Sequence, residues 1–397
     1  MPARKHPSNH NLILLTVMVM AALASGCSAA VQTQPVPTQG QGKPTKLPQP
    51  TKTRKPTKTQ LPTDTRSPGD TALPTDTAEP APTPALSATG LSRNNPYPRS
   101  SVVPAPNWDV QVMEVKRGEE AWSDIQAASE FNEAAPEGME YLLVKVHVKS
   151  TQADGDEHSL SSCDFNATGD RLISYMCGMA VEPDPVLDVT VTTGGEAEGW
   201  AAYLVGQDEK NLILVFNEAF TSEENAVRYI ALDKGAAIGV SPDLAAITPT
   251  DLGRTQDHPA ARTDQLTTQD WELSVKDVLR GEEAWTMIQD ANPFNDPPAQ
   301  GMEYIAVNIH VRSIASVDQA ESIDGSYFQS TGSAGVFYDS PPVAGPNPSL
   351  DIALFPGGEY EGWIVLQAAK GETGVLLVFK PWLDESDENQ RFLRLEP

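Results

Sequence analysis

The stretch Tyr141-Leu142-Leu143-Val144-Lys145-Val146-His147-Val148-Lys149 decides how this chain is read. Leu142, Val144, Val146 and Val148 occupy alternate positions, with Lys145, His147 and Lys149 between them. Successive side chains of a strand point to opposite faces, so an apolar period of two means a strand with one face in a core. The same pattern returns 163 residues later as Ile305, Val307, Ile309 and Val311.

Working outward, that offset governs everything after Asn107. It carries Trp108 onto Trp271, Arg117-Gly118-Glu119-Glu120-Ala121-Trp122 onto Arg280-Gly281-Glu282-Glu283-Ala284-Trp285, and Gly138-Met139-Glu140-Tyr141 onto Gly301-Met302-Glu303-Tyr304. It also carries Gly194-Gly195 onto Gly357-Gly358, Glu198-Gly199-Trp200 onto Glu361-Gly362-Trp363, and Leu214-Val215-Phe216 onto Leu377-Val378-Phe379. No gap is needed, and roughly a third of the aligned positions are identical. The chain therefore holds an internal repeat, one domain at 107–234 and its copy at 271–397, joined by a linker at 235–270 rich in Asp, Thr, Pro and Ala. Within that linker, Ser241-Pro242-Asp243-Leu244 suits a local turn of helix. The linker allows independent heads as well as avidity between them.

Further strands are predicted at 108–115, 187–191, 198–205, 212–216 and 228–232, with their counterparts in the second copy. A helical turn is predicted over Glu119–Ala128, since Gly118 precedes two carboxylates that suit the positive end of a helix. Trp122 and Ile125 are placed on its inward face. The fold class is all-β: two tandem immunoglobulin-like β-sandwiches, each with a short helical turn, after a disordered Pro/Thr-rich tether.

The motif set Gly138-Met139-Glu140-Tyr141, Gly194-Gly195, Glu198-Gly199-Trp200 and the closing Leu-Val-Phe strand resembles the telokin-like, immunoglobulin-fold domain of unknown function carried by bacterial surface lipoproteins. That family is also likened to a secreted mycobacterial immunoprotective antigen. The resemblance implies an extracellular sandwich with a binding or accessory role, and it brings no catalytic residues.

The N-terminus is read as an address. Arg4 and Lys5 precede an apolar run from Leu12 to Leu23, and the following Ala24-Ser25-Gly26-Cys27 resembles a lipobox. Residues 1–26 then form a lipoprotein signal peptide, and Cys27 carries the lipid that anchors the mature chain to a bacterial membrane, facing the extracellular or periplasmic side. The alternative is a secretory signal cut near Ala29 or Ala30. Residues 27–106 are proline- and threonine-rich, too poor in large apolar side chains to fold, and are read as a disordered tether.

Nine basic against four acidic residues between Ser28 and Ser100 make the tether cationic, although the whole chain carries -26. The repeated part is strongly acidic, which excludes a nucleic-acid backbone as partner. Of three cysteines, Cys163 and Cys177 remain after Cys27; both correspond to serine, Ser326 and Ser340, so the pair is read as a disulfide gained or lost together.

No nucleophile elbow, zinc-protease helix or phosphate loop occurs, and the chain is expected not to be an enzyme and to need no cofactor. Glu119, Glu120, Glu196 and Glu198, kept in both copies, leave a carboxylate-based glycoside hydrolase as a remote alternative. His147 and His310 are read as part of a solvated sheet face. Asp154-Gly155-Asp156-Glu157 resembles a calcium loop, but its counterpart Val317-Asp318-Gln319-Ala320 does not; calcium is possible and unsupported. The repeated Trp108, Trp122 and Trp200, with Trp271, Trp285 and Trp363, could stack on sugars but are mainly read as packing. The candidate partner surface is Glu119, Glu120, Trp122, Glu282, Glu283 and Trp285. The expected partner is an envelope protein or glycan, with a non-binding stalk or accessory subunit as the rival.

Overall fold

The computed structural model describes residues 89–178, 180–218, 226–381 and 387–396. The predicted signal peptide, Cys27 and the predicted tether up to residue 88 lie outside the described residues.

The first copy contains β1 (Val103–Pro104), β2 (Trp108–Arg117), helix α1 (Glu119–Ala128), β3 (Met139–Ser150), β4 (Glu157–Ser161), β5 (Phe165–Thr168), β6 (Asp188–Thr192), β7 (Glu196–Gly206), β8 (Ile213–Phe216) and β9 (Arg228–Ala231). One sheet runs β1-β2-β3-β7; the other runs β5-β8-β9, and β4 pairs with β6. All of these pairings are antiparallel. Leu142, Val144, Val146 and Val148 of β3 meet Phe165, Leu214, Phe216 and Ile230 of the opposite sheet in one buried core, as the period of two requires.

The second copy repeats this plan with β10 (Leu266–Thr267), β11 (Trp271–Arg280), α2 (Glu282–Ala291), β12 (Met302–Ser313), β13 (Glu321–Asp324), β14 (Phe328–Thr331), β15 (Tyr338–Asp339), β16 (Asp351–Leu354), β17 (Glu359–Ala369), β18 (Leu376–Phe379) and β19 (Arg391–Arg394). Trp108 opposes Ser150 in the first copy and Trp271 opposes Ser313 in the second, so register as well as topology is duplicated. Gly199 and Gly362, glycine in both copies, have a steric reason: a Cβ at either would collide with the backbone of Leu187 or Leu350 crossing over the strand.

The tether and linker boundaries need correction. Residues 89–106 belong to the first sandwich: Val103 is fully buried, Tyr97 bridges Ile230, and Tyr229 N–H donates to the Gly90 carbonyl at 2.9 Å. The second copy makes the same contacts 163 residues on, with Ala260 bridging Leu393 and Phe392 N–H donating to the Gly253 carbonyl. Backbone hydrogen bonds to the β9 and β19 edges, the pairing of β1 with β2 and of β10 with β11, and the burial of Val103 and Leu266 order these proline-containing segments.

Only residues 235–252 then join the copies, and they too are packed. Tyr229, Ile213, Val215 and Ala231 on the outer face of β8–β9 are covered by Ala236 and Ile238 of this joint and by Phe355 of the second copy. Phe355 is 2% exposed, a burial worth about 1.5–3 kcal/mol. Ile173 bridges Leu354, Ser174 N–H donates to the Ala353 carbonyl and Phe355 N–H to the Leu172 carbonyl, each at 2.8 Å. Leu172 takes φ 61°, where its counterpart is Gly335. A leucine there costs about 1–2 kcal/mol, and its packing on the interface offsets that cost. Independent heads, allowed by the linker composition, give way to two sandwiches docked on each other.

Arg93 fastens this contact. Its side chain is fully buried, with Nε 2.5 Å from Asp318 Oδ1, Nη2 donating to the Pro356 carbonyl at 2.9 Å, and the guanidinium 5.0 Å from the Phe355 ring centre. Tyr229 Oη donates to the Asp318 carbonyl at 2.7 Å, beside the same pair.

Candidate binding surface

Gly118 and Gly281, at φ 61° and 65°, turn the chain from β2 into α1 and from β11 into α2, a conformation that L side chains rarely adopt. Each helix then lies on the outer face of its sheet. Ala121 and Ile125 of α1 bury against Tyr141, Leu143, Trp200 and Ala202; Ala284 and Ile288 of α2 do the same against Tyr304, Ala306 and Val365. Trp122 differs from the expected inward residue: it is half-buried at the helix rim and stacks on Tyr141, centroids 5.7 Å apart. Trp285 lies 6.0 Å from Tyr304 in a tilted arrangement.

Glu119, Glu120, Glu282 and Glu283 are exposed on the first turns of these helices. The structure therefore puts the predicted glutamates and tryptophans on one helix in each copy. Trp108 and Trp271 are core residues, Trp200 is 7% exposed and Trp363 is half-buried, so among the described residues no row of open indoles is presented to a sugar.

The sheet face beside the helix is ionic. Glu196 accepts from Lys149 at 2.9 Å and lies 3.3 Å from His147; Glu198 is 2.9 Å from Lys145. In the second copy Glu359 lies 3.4 Å from both His310 and Arg312. The Lys149 hydrogen bond holds the Glu196 carboxyl below the usual carboxylate range, and Lys145 does the same for Glu198. Neither glutamate is kept protonated to serve as an acid. Asp154 is engaged by the Asp156 N–H at 3.0 Å and by His158 at 2.8 Å. Among the described residues no group of three or more His, Cys, Asp or Glu side chains converges as a metal site.

Cys163 and Cys177 are joined by a disulfide, with Cα atoms 5.2 Å apart. The second copy ties the same two segments without sulfur: Ser340 Oγ donates to the Gly325 carbonyl at 2.6 Å and the Phe328 carbonyl at 3.0 Å. A groove of about 630 Å³ at the open edge of the first sandwich is lined by Pro96, Arg99, Met113 and Lys234, and includes none of the predicted surface residues.

No family model and no curated protein matches the chain. Solved structures similar to part of it include YcdA, a candidate lipoprotein of Bacillus subtilis, at 16% identity over 32% of this chain and 37% of that one, TM-score 0.26. The secreted protein MPT63 of Mycobacterium tuberculosis aligns at 13% identity over 35% of this chain and 98% of that one, TM-score 0.24. A β-sandwich protein of Clostridium difficile aligns at 10% identity over 35% of this chain and 96% of that one, TM-score 0.23. At such scores these likenesses carry no argument about function.

The residue that sequence reading missed is a phenylalanine. Phe131 is 77% exposed just after α1, and Phe294, its counterpart after α2, is 57% exposed. Each is held in place from both sides. Phe131 N–H donates to Ser129 Oγ at 3.2 Å and Phe294 N–H to Asn292 Oδ1 at 3.0 Å. The next residue, Asn132, donates to the Ile125 and Val181 carbonyls and accepts from Val181 N–H. Asn295 repeats those three bonds with Ile288 and Ala344. Across 129–137 and 292–300 only this Phe-Asn pair is identical in the two copies. The asparagine has a structural reason to persist, and the phenylalanine side chain, mostly in water, has none. The offset of 163 marks it, but a lone aromatic in a polar loop carries no period that draws attention.

Proposed function

We propose that the chain is an exported, lipid-anchored surface protein that displays two docked acidic sandwiches as one bivalent binding unit, with Phe131 and Phe294 at the centres of contact. The N-terminal segment read as an export signal, with Cys27, supports the location, and the motif set's resemblance to the telokin-like surface domains agrees with it. We propose no catalytic role: Glu119, Glu120, Glu282 and Glu283 line helix ends, Glu196 and Glu198 are bonded to lysines, and Glu359 lies against His310 and Arg312.

One observation carries the binding reading. Scattered exposed apolar residues are normal on any protein. Among the described residues, however, Phe131 and Phe294 form the single pair of large apolar side chains strongly exposed at equivalent places in both copies. Exposed aromatics on a rigid support are the common anchors of protein interfaces. A stalk gains nothing from such a pair, because its copies need agree only in their cores.

The test is capture from native envelope extract by the full-length protein, with and without calcium. The reading expects a saturable partner retained by the wild-type chain and lost by the double variant F131A/F294A. Equal retention by both proteins, or nothing retained under either condition, would overturn it in favour of the stalk.

A further inference from the structure

The chemistry around the two phenylalanines narrows the partner. From Gly118 to Val144 the chain carries seven Asp or Glu and no Lys or Arg; from Gly281 to Val311 it carries five and again none. Three of these twelve are neutralised from outside the stretch, Asp124 by Lys116 at 2.6 Å, Glu140 by Arg117 at 2.5 Å and Glu303 by Arg280 at 2.8 Å. The others, including Glu119, Glu120 and Glu133 in the first copy and Glu282, Glu283 and Asp296 in the second, are exposed, and no cation is bonded to them among the described residues. Glu133 and Asp296 stand two residues beyond the phenylalanines and act on the tyrosine under the helix: after burial itself, their charge raises the Tyr141 and Tyr304 hydroxyls above the usual range. Their backbone carbonyls accept from those hydroxyls at 2.9 and 3.2 Å, which fixes the loop beneath each phenylalanine. Acid at this position is thus repeated along with the aromatic.

Resting on the binding reading above, we infer that the Phe131 and Phe294 surfaces dock a cationic polypeptide segment, its apolar side chain covering the phenylalanine and its lysines or arginines meeting the surrounding carboxylates. An aromatic centre with a charged rim is the anatomy of a protein interface. The acids are spread over a helix and the loop after it and do not converge, so they suit several separated cations rather than one metal ion. An anionic glycan, nucleic acid or lipid headgroup would meet like charge across the whole rim. Two such surfaces on one docked unit add avidity for a partner that presents the segment twice.

The probe is a dye-labelled peptide alternating lysine and leucine, titrated by fluorescence anisotropy against the full-length protein in neutral detergent. A glutamate–leucine peptide and a lysine–serine peptide of the same length are the controls. The inference expects saturable binding of the lysine–leucine peptide, weakened about tenfold or more by F131A/F294A. It expects a similar loss in E133Q/D296N and further loss as salt rises through about 50–300 mM. D156N/E157Q, which removes charge from a remote loop, should leave binding unchanged, separating a defined surface from attraction to an acidic protein at large. Equal binding of the two leucine peptides, or indifference to the phenylalanine variant, overturns the inference. The two readings can fail separately: phenylalanine-dependent capture of an acidic or neutral envelope partner sinks this one and leaves the binding unit standing.

Discussion

Replacing Arg93 with alanine should undock the two sandwiches. The guanidinium is fully buried and joins three groups of the second copy: the Asp318 carboxylate, the Pro356 carbonyl and the Phe355 ring. Removing one partner of a buried ion pair costs about 3–5 kcal/mol, because the other charge is left without compensation. Asp318 is 25% exposed, so water takes up part of that loss, and about 2–4 kcal/mol is the expected cost to the contact. A loss of that size competes with the whole apolar gain from Phe355. In calorimetry of the full-length protein, a joint transition should separate into two or move down by several degrees. Small-angle scattering should report a larger radius of gyration. A cycle with Asp318→Asn isolates the pair: R93M/D318N should lose less than the sum of its single variants. An R93A protein with the wild-type melting curve and wild-type scattering would refute the claim that this residue fastens the heads.

Other outcomes follow from the same structure. Cys163→Ser with Cys177→Ser should destabilise the first sandwich by about 2–4 kcal/mol in urea unfolding, whereas Ser340→Ala, which removes hydrogen bonds across the corresponding segments, should cost only about 1–2 kcal/mol; equal losses would contradict the assignment. Glu321 has its pKa pushed up to about 7, first by burial and then by the charge of Asp270. With the folded pKa above the usual glutamate value, the fold is favoured when Glu321 is protonated, and that contribution is lost as pH rises through about 7. Glu321→Gln should therefore raise the melting temperature at pH above about 7 and leave it nearly unchanged near pH 4, and a shift of equal size at both pH values would count against burial as the cause.

Much of this architecture is legible without coordinates. Alternation in Leu142–Val148 places β3, the 163-residue offset duplicates it, and the glutamates after Gly118 mark the start of α1. The early boundary escapes notice because residues 90–107 and 253–270 share little beyond Gly90/Gly253, Pro96/Pro259 and Arg99/Arg262, and they are held by backbone bonds that leave no apolar period. The contact between copies leaves no mark in a repeat for another reason. Each of its residues is used once: Leu172 corresponds to Gly335, Phe355 to Thr192 and Asp318 to Gly155. Comparing copies finds what they share, whereas an interface between them depends on what they do not. Of the predicted surface, Glu119, Glu120 and Trp122 do share a helix, but the exposed aromatic beside them lies in the loop beyond it.

The central claim is that Phe131 and Phe294 are contact residues, and one comparison reaches it most directly. Full-length wild type, F131A/F294A and V336A/F337A are offered the same native envelope extract, and the retained partner is identified and quantified. Val336 and Phe337 are each 46% exposed in the second copy alone, so their loss removes apolar surface without touching the repeated pair. The account predicts one partner held by wild type and by V336A/F337A, and reduced at least about tenfold by F131A/F294A. Retention of that partner by F131A/F294A at the wild-type level would contradict it.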